Sequence, residues 1–131
     1  MEASQALADL TEISTQIKAA ALFRADGTLD ASTLADGARF VEAARALLSA
    51  ADGVRTEPLV QLAAATAGGR VFVVRDGDRV VAAVTGPEPT VGLVFYDLKS
   101  CLRSSAESEE AEKPKRAPRR KAKEEGENGE A

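Results

Sequence analysis

The sequence contains no histidine and no tryptophan, and only one cysteine, one tyrosine and four phenylalanines among 131 residues. Without histidine or a second cysteine, one chain cannot assemble the usual zinc ligand sets or the Ser-His and Cys-His nucleophile pairs. Cys101 has no second cysteine to form an internal disulfide with, in agreement with a reducing compartment. No run approaches the roughly eighteen uninterrupted apolar residues of a membrane-spanning helix. The opening MEASQALADL has neither the basic region nor the apolar core of a signal peptide, so a cytoplasmic protein is expected. A strong charge of one sign is also missing. With 17 basic and 21 acidic residues, a net charge of −4, the chain has no global attraction for nucleic acid or an anionic membrane. Any such partner has to be met locally.

What is present centres on Arg70 to Thr85, RVFVVRDGDRVVAAVT, two apolar runs separated by Asp76-Gly77. Asp-Gly between β-branched runs predicts a hairpin, because a two-residue type I′ turn needs positive φ at both centres. The arms, Val71 to Val74 and Val80 to Val84, are apolar throughout and do not alternate. They are expected to be buried on both faces, inside a sheet with helices above and below. Hydrophobic content of 44% in this length supports one compact domain with a tail.

In chain order, Ser4 to Lys18 reads as an amphipathic helix with Leu7, Leu10, Ile13 and Ile17 on one stripe and Ser4 as N-cap. ALFRADGTLDAS then predicts a second hairpin about Asp26-Gly27, between Ala20–Phe23 and the alternating, edge-like Thr28–Ser32. Leu34 to Ala51 is helical. Asp36, Arg39, Glu42, Arg45, Ser49 and Asp52 form one polar stripe, while Leu34, Ala38, Phe40, Val41, Ala44, Leu47, Leu48 and Ala51 make most of the remaining circumference apolar. A helix lying on one sheet needs an apolar arc of only about 100°. The excess points to a second packing partner, which in so short a chain is expected to be another copy of the protein; alternatively, alanine adds apolar circumference without adhesion.

TEPLVQLAAATAGG reads locally as a short helix capped by Thr56. Gly68-Gly69, however, stands where a third tight turn would precede the central hairpin. A strand over Val60 to Thr66, completing a meander, is the reading that fits the context. After GPEP, Thr90 caps a last helix to about Arg103, with Val91, Val94, Phe95, Leu98 and Leu102 on one face and Lys99 and Arg103 in its final turn. Cys101 beside this stripe reads as a packed thiol, since no base accompanies it. From Ser104 the pattern is acidic ESEEAE, basic KPKRAPRRKAK, then acidic EEGENGE, with nothing apolar larger than alanine. Domain boundaries of 1–103 and a disordered 104–131 follow.

The order helix, hairpin, helix, three-stranded meander, helix, together with ALFRADGTL, GGRVFVVRDGDRVVAAV and VGLVFYDLKSCL, resembles the roadblock family, the dynein light-chain type of small regulatory domain. The resemblance covers about residues 4 to 103. It implies an α+β fold of order α-β-β-α-β-β-β-α, a five-stranded antiparallel sheet with the middle helix on one face and the first and last helices on the other. It further implies dimerisation through the middle helix and third strand, here Phe40, Val41, Ala44, Leu47 and Leu48 with Leu62 and Ala64. The role it implies is a non-catalytic regulator or adaptor that binds a small Ras-like GTPase. The charged tail is not part of the family domain.

No residue pattern adds a catalytic site, metal site, cofactor or small-molecule substrate. Gly68 and Gly69 precede a strand and lack a following Lys-Ser or Lys-Thr, so they read as turn residues and not as a phosphate loop. Asp26, Asp76 and Asp78 sit in or beside hairpin turns, where Asp is favoured for backbone reasons. Any acceleration of GTP hydrolysis would come from repositioning a partner's own catalytic residues or from supplying an arginine such as Arg39 or Arg45, although exposed arginines on a helix are commonly just solvated charge. The block Lys113, Lys115, Arg116, Arg119, Arg120, Lys121 and Lys123 could neutralise phosphates of nucleic acid or an anionic lipid surface, without aromatics for base stacking. The block reads first as a plain solvated tail; the alternative function, in which it acts as an electrostatic tether, is a dimerising platform whose tail does the binding.

Overall fold

The computed structural model of the chain describes residues 2–54 and 60–112, with residues 107–112 described by their backbone alone. The order is α1 (Ala3–Ile13), β1 (Ile17–Arg24), β2 (Leu29–Ser32), α2 (Gly37–Asp52), β3 (Gln61–Thr66), β4 (Gly69–Asp76), β5 (Arg79–Thr85) and α3 (Val91–Glu112). The strands form one antiparallel sheet in the order β2-β1-β5-β4-β3. This is the α-β-β-α-β-β-β-α architecture that the sequence pattern and its resemblance imply, with Val60 to Thr66 extended and not helical. Val60 itself continues the ladder, its carbonyl accepting the Arg75 N–H at 2.8 Å.

Both Asp-Gly turns form, with Gly27 at φ 99° and Gly77 at φ 62°, a region that side-chain-bearing residues rarely adopt. The central strands bury both faces. Phe72, Val74, Val81 and Ala83 face α1 and α3, while Val73, Val80 and Ala82 face α2. On β1, a register shift between Ile17 and Ala19 lets Ile17 join Ala20 and Leu22 on the α1/α3 side, while Ala21 and Phe23 meet α2.

Several expectations change. The first helix ends at Ile13, and Ile17 opens β1. Ile13 is 72% exposed, while Ala6, Leu7 and Leu10 carry the buried stripe. The residue flanking α1 is Glu2, not Ser4. Helix α2 starts at Gly37, because Leu34 is held in a turn by the Ser32 hydroxyl, which accepts from its N–H and donates to its carbonyl. Gly69 belongs to β4 and not to the turn. A Cβ there would lie 2.2 Å from the Thr85 carbonyl oxygen, so glycine is required for the close approach of β4 to β5. Helix α3 begins directly after Thr90, as expected, but runs past Arg103 to Glu112. Lys99 and Arg103 are therefore mid-helix. The domain extends beyond the expected boundary, since Ser105 is buried and its hydroxyl accepts from Arg79 Nη1 at 3.2 Å. The basic block Lys113 to Lys123 lies outside the described residues, as does Thr56.

Candidate interaction surface

Helix α2 lies on the sheet through Gly37, Val41, Ala44 and Leu48, with Phe40 half-buried at its margin. Its remaining circumference is exposed: Ala38, Ala43, Ala46, Ala50 and the 36%-exposed Leu47 among the apolar residues, and Arg39, Glu42, Arg45 and Ser49 among the polar ones. Of the residues expected at a dimer interface, Val41, Ala44 and Leu48 thus belong to the helix's own contact with the sheet. Leu47 faces outward, and Phe40, Leu62 and Ala64 are partly accessible. Hydrophobicity alone could not separate these sets, because leucines and alanines occupy both faces.

Next to α2, the two sheet edges differ. Edge β2 is four residues long, and its Asp30 is held by Arg24 Nε at 2.8 Å. Edge β3 is six residues long, reads QLAAAT, and contains neither charge nor proline. Its paired side is in register with β4 from Gln61↔Val74 to Thr66↔Gly69, and the Ala67-Gly68 turn is fastened by Thr66 Oγ1, which accepts from the Gly69 N–H and donates to its carbonyl. Its other side presents backbone donors and acceptors to no strand of this sheet. A neutral, uninterrupted edge of this length is a template for another strand, and proteins that stay monomeric usually blunt such edges. Leu62 packs at the margin of the α2 cluster, so the sheet face that α2 only partly covers reaches the open edge.

The far end of α2 is fastened to β4 by a two-pronged ion pair. Arg75 Nη1 and Nη2 donate to the two carboxylate oxygens of Asp52 at 3.0 and 2.8 Å. Bidentate geometry of this kind fixes orientation as well as proximity. Above it opens a cleft of about 440 Å³, with Phe23, Leu48 and Val80 at its base and Glu42, Arg45 and Ser49 at its rim. The pattern gave no sign of this fork, since Asp52 and Arg75 are far apart in sequence.

The candidate chemical residues occupy structural positions. Asp26 Oδ1 accepts the Thr28 N–H at 2.9 Å, and this hydrogen bond holds its carboxyl below the usual carboxylate range. Asp78 faces Arg24 at 3.5 Å, and Asp76 precedes the turn glycine, paired across the hairpin with Arg79. Arg45 Nε donates to the Ala25 carbonyl at 3.1 Å, which lays its guanidinium over the β1–β2 turn while the residue, like Arg39, stays exposed. The thiol of Cys101 lies 3.6 Å from the Ala6 carbonyl oxygen. Burial, reinforced by the charge of Asp9, pushes it up to about 12. Among the described residues, no group of three or more metal-ligating side chains is gathered, and no helix is long and apolar enough to cross a membrane.

The fold has clear counterparts among solved structures. A Roadblock/LC7 domain from Streptomyces avermitilis superposes with a TM-score of 0.73 at 17% identity, over 84% of this chain and 99% of that one. Gliding protein MglB from Thermus thermophilus gives 0.71 at 12% identity, over 83% and 89%. Myxococcus xanthus MglB gives 0.71 at 15% identity, over 83% and 95%. No family model and no curated protein matches the sequence. Superposition over more than 80% of this chain, with TM-scores of 0.71 to 0.73, shows that the chain has the fold of the roadblock/LC7 domains.

Proposed function

We propose that the chain is a homodimeric, non-catalytic regulator or adaptor that binds a small Ras-like GTPase in the cytoplasm. The observation that carries this reading is the neutral, unblunted edge β3 at the margin of the sheet face that α2 only partly covers. Pairing two β3 edges antiparallel about a twofold axis would satisfy their open backbone groups and join two sheets into one. The same contact would bring together two α2 helices, burying Leu47 and the accessible parts of Phe40 and Leu62. Self-association occurs within this fold: MglB, 15% identical, has been solved in a tetrameric arrangement. The GTPase comes from the roadblock resemblance of the sequence. A protein of this composition would act by positioning a partner's own groups. Arg39 is better placed than Arg45 to reach a partner.

The test is affinity capture from native lysate with the full chain and with residues 1–112, each in the presence of a GTP analogue or GDP. Ending the short form at Glu112 keeps Ser105 and its bond to Arg79, which a cut after Arg103 would remove. Retention of a small GTPase by both forms, with a yield that depends on the nucleotide, supports the reading. A monomer at micromolar concentration that captures no GTPase in either nucleotide state refutes it. Capture of nucleic acid or lipid by the full chain alone would instead assign the function to the tail.

A further inference from the structure

The sheet face opposite α2 carries a groove that the reading above leaves unused. Helices α1 and α3 run antiparallel across it, for the Cys101 thiol meets the Ala6 carbonyl near one end and the Thr90 N–H donates to Gln16 Oε1 near the other. Between them lies a groove of about 260 Å³ with Leu10 and Cys101 in its floor and Asp9, Ile13, Asp97 and Ser100 along its rim. Two carboxylates and no cation line it. Helix α3 sorts its charges by flank, because Lys99 and Arg103 line a different cleft, beside Val60 and Gln61. Helix α1 adds Glu12 and contains no Lys or Arg.

The same segregation runs through the sequence. Residues 1–112 hold 17 acidic and 10 basic side chains, so a domain of net charge −7 is followed at once by Lys113–Lys123, with seven basic residues and no acidic one.

We propose that Lys113–Lys123 docks back on its own domain, in the acidic groove between α1 and α3. The reach is sufficient. Asp97 lies about 22 Å from Glu112 along α3 at about 1.5 Å per residue, and the block spans about 36 Å when extended. Lysine and arginine stems can lie along the apolar floor while their charged ends reach Asp9 and Asp97. The block has no side chain to fill a deep pocket, so the contact is electrostatic and weak, and tethering sustains it at an effective concentration of about a millimolar. The inference does not rest on the GTPase reading, since neither α2 nor β3 takes part.

The test compares the full chain with a variant in which all seven basic residues of the block are replaced by glutamine, both labelled with ¹⁵N. At about 20 mM salt the amide signals of Asp9, Ile13, Asp97 and Ser100 are expected to differ between the two, and the difference to collapse at about 0.5 M salt, where the screening length falls to a few ångströms. In a D9N/D97N background, which removes rim charges without touching the core, the same comparison is expected to lose most of that difference. Identical groove signals in the two chains overturn the proposal. So does a difference confined to residues 107–112, where the block would merely pair with adjacent glutamates, or one that fades on dilution, which would place the block on a second copy.

Discussion

Both faces of the sheet are built largely from valine, alanine and one phenylalanine, Phe72 of β4 on one and Phe23 of β1 on the other, yet they are covered differently. On one side α1 and α3 close a cluster of fourteen buried residues, with Ala3, Ala31, Val91 and Phe95 partly covered at its margin, and Phe72 of the cluster meets Phe95 edge-on at 5.1 Å and 80°. On the other, α2 alone closes a cluster of eight, with Phe40, Leu62 and Val71 only partly covered. One helix is about 10–12 Å across with its side chains, whereas adjacent strands are about 4.7–4.9 Å apart, so a single helix cannot span five strands. The sheet therefore has a finished face and an unfinished one, and the unfinished one adjoins the open β3 edge. The dimer reading follows from that asymmetry.

The asymmetry can be tested by perturbing each side in turn. Phe72→Ala, on the finished face and fully buried, is expected to cost about 3–5 kcal/mol in urea unfolding, enough to threaten folding. Gly69→Ala, which acts on both faces by forcing β4 away from Thr85, is expected to cost about 1–3 kcal/mol and to loosen amide protection along β4 and β5. On the unfinished face, Asp52→Ala breaks the fork to Arg75. Because Asp52 is 38% exposed, the expected loss is only about 1 kcal/mol or less, with fraying of the C-terminal turn of α2 in hydrogen exchange. Leu47→Asp is expected to leave monomer stability within about 0.5 kcal/mol, while sedimentation shifts from dimer to monomer. An unchanged dimer would show that the unfinished face is covered by something else.

Raising the pH above 9.0 probes the finished face through Cys101. Because burial raises the Cys101 thiol from 9.0 to about 12, the folded state keeps its proton where the unfolded chain releases it. The resulting stability is complete below pH 9.0 and declines as pH rises from 9.0 to about 12. Cys101→Ala is expected to flatten that part of the urea-midpoint profile. The native thiol should also stay inert to alkylating reagents at pH 8, reacting only on unfolding.

The elements were largely legible in the sequence because their signals are local. Asp26-Gly27 and Asp76-Gly77 specify backbone conformations that other residues adopt at a cost, and short β-branched runs bounded by such turns mark central strands. The misplacements occurred where two local rules overlapped. Ile17 continues the helical spacing of Leu10 and Ile13 by coincidence, and nothing before Ile13 marks the end of α1. Polar composition after Arg103 hid the continuation of α3, which Ser105 anchors through a contact with distant Arg79. Four of the seven residues proposed for the interface retain an accessible surface. Val41, Ala44 and Leu48 do not, since an apolar circumference shows how much of a helix can be buried but not which arc its own sheet takes.

Composition and short-range pattern by themselves determined that this chain lacks the usual histidine and cysteine chemistry, forms two Asp-Gly hairpins and a meander, and carries a basic block of charge opposite to its domain. Only the tertiary structure decided which face of α2 is spent on the core, that β3 stands at an open edge, that Asp52 clasps Arg75, and that the carboxylates of α1 and α3 share one groove. The physical reason is range. Turn geometry and side-chain periodicity act between neighbours along the chain, whereas burial, edge exposure and charge pairing depend on residues that only folding brings together.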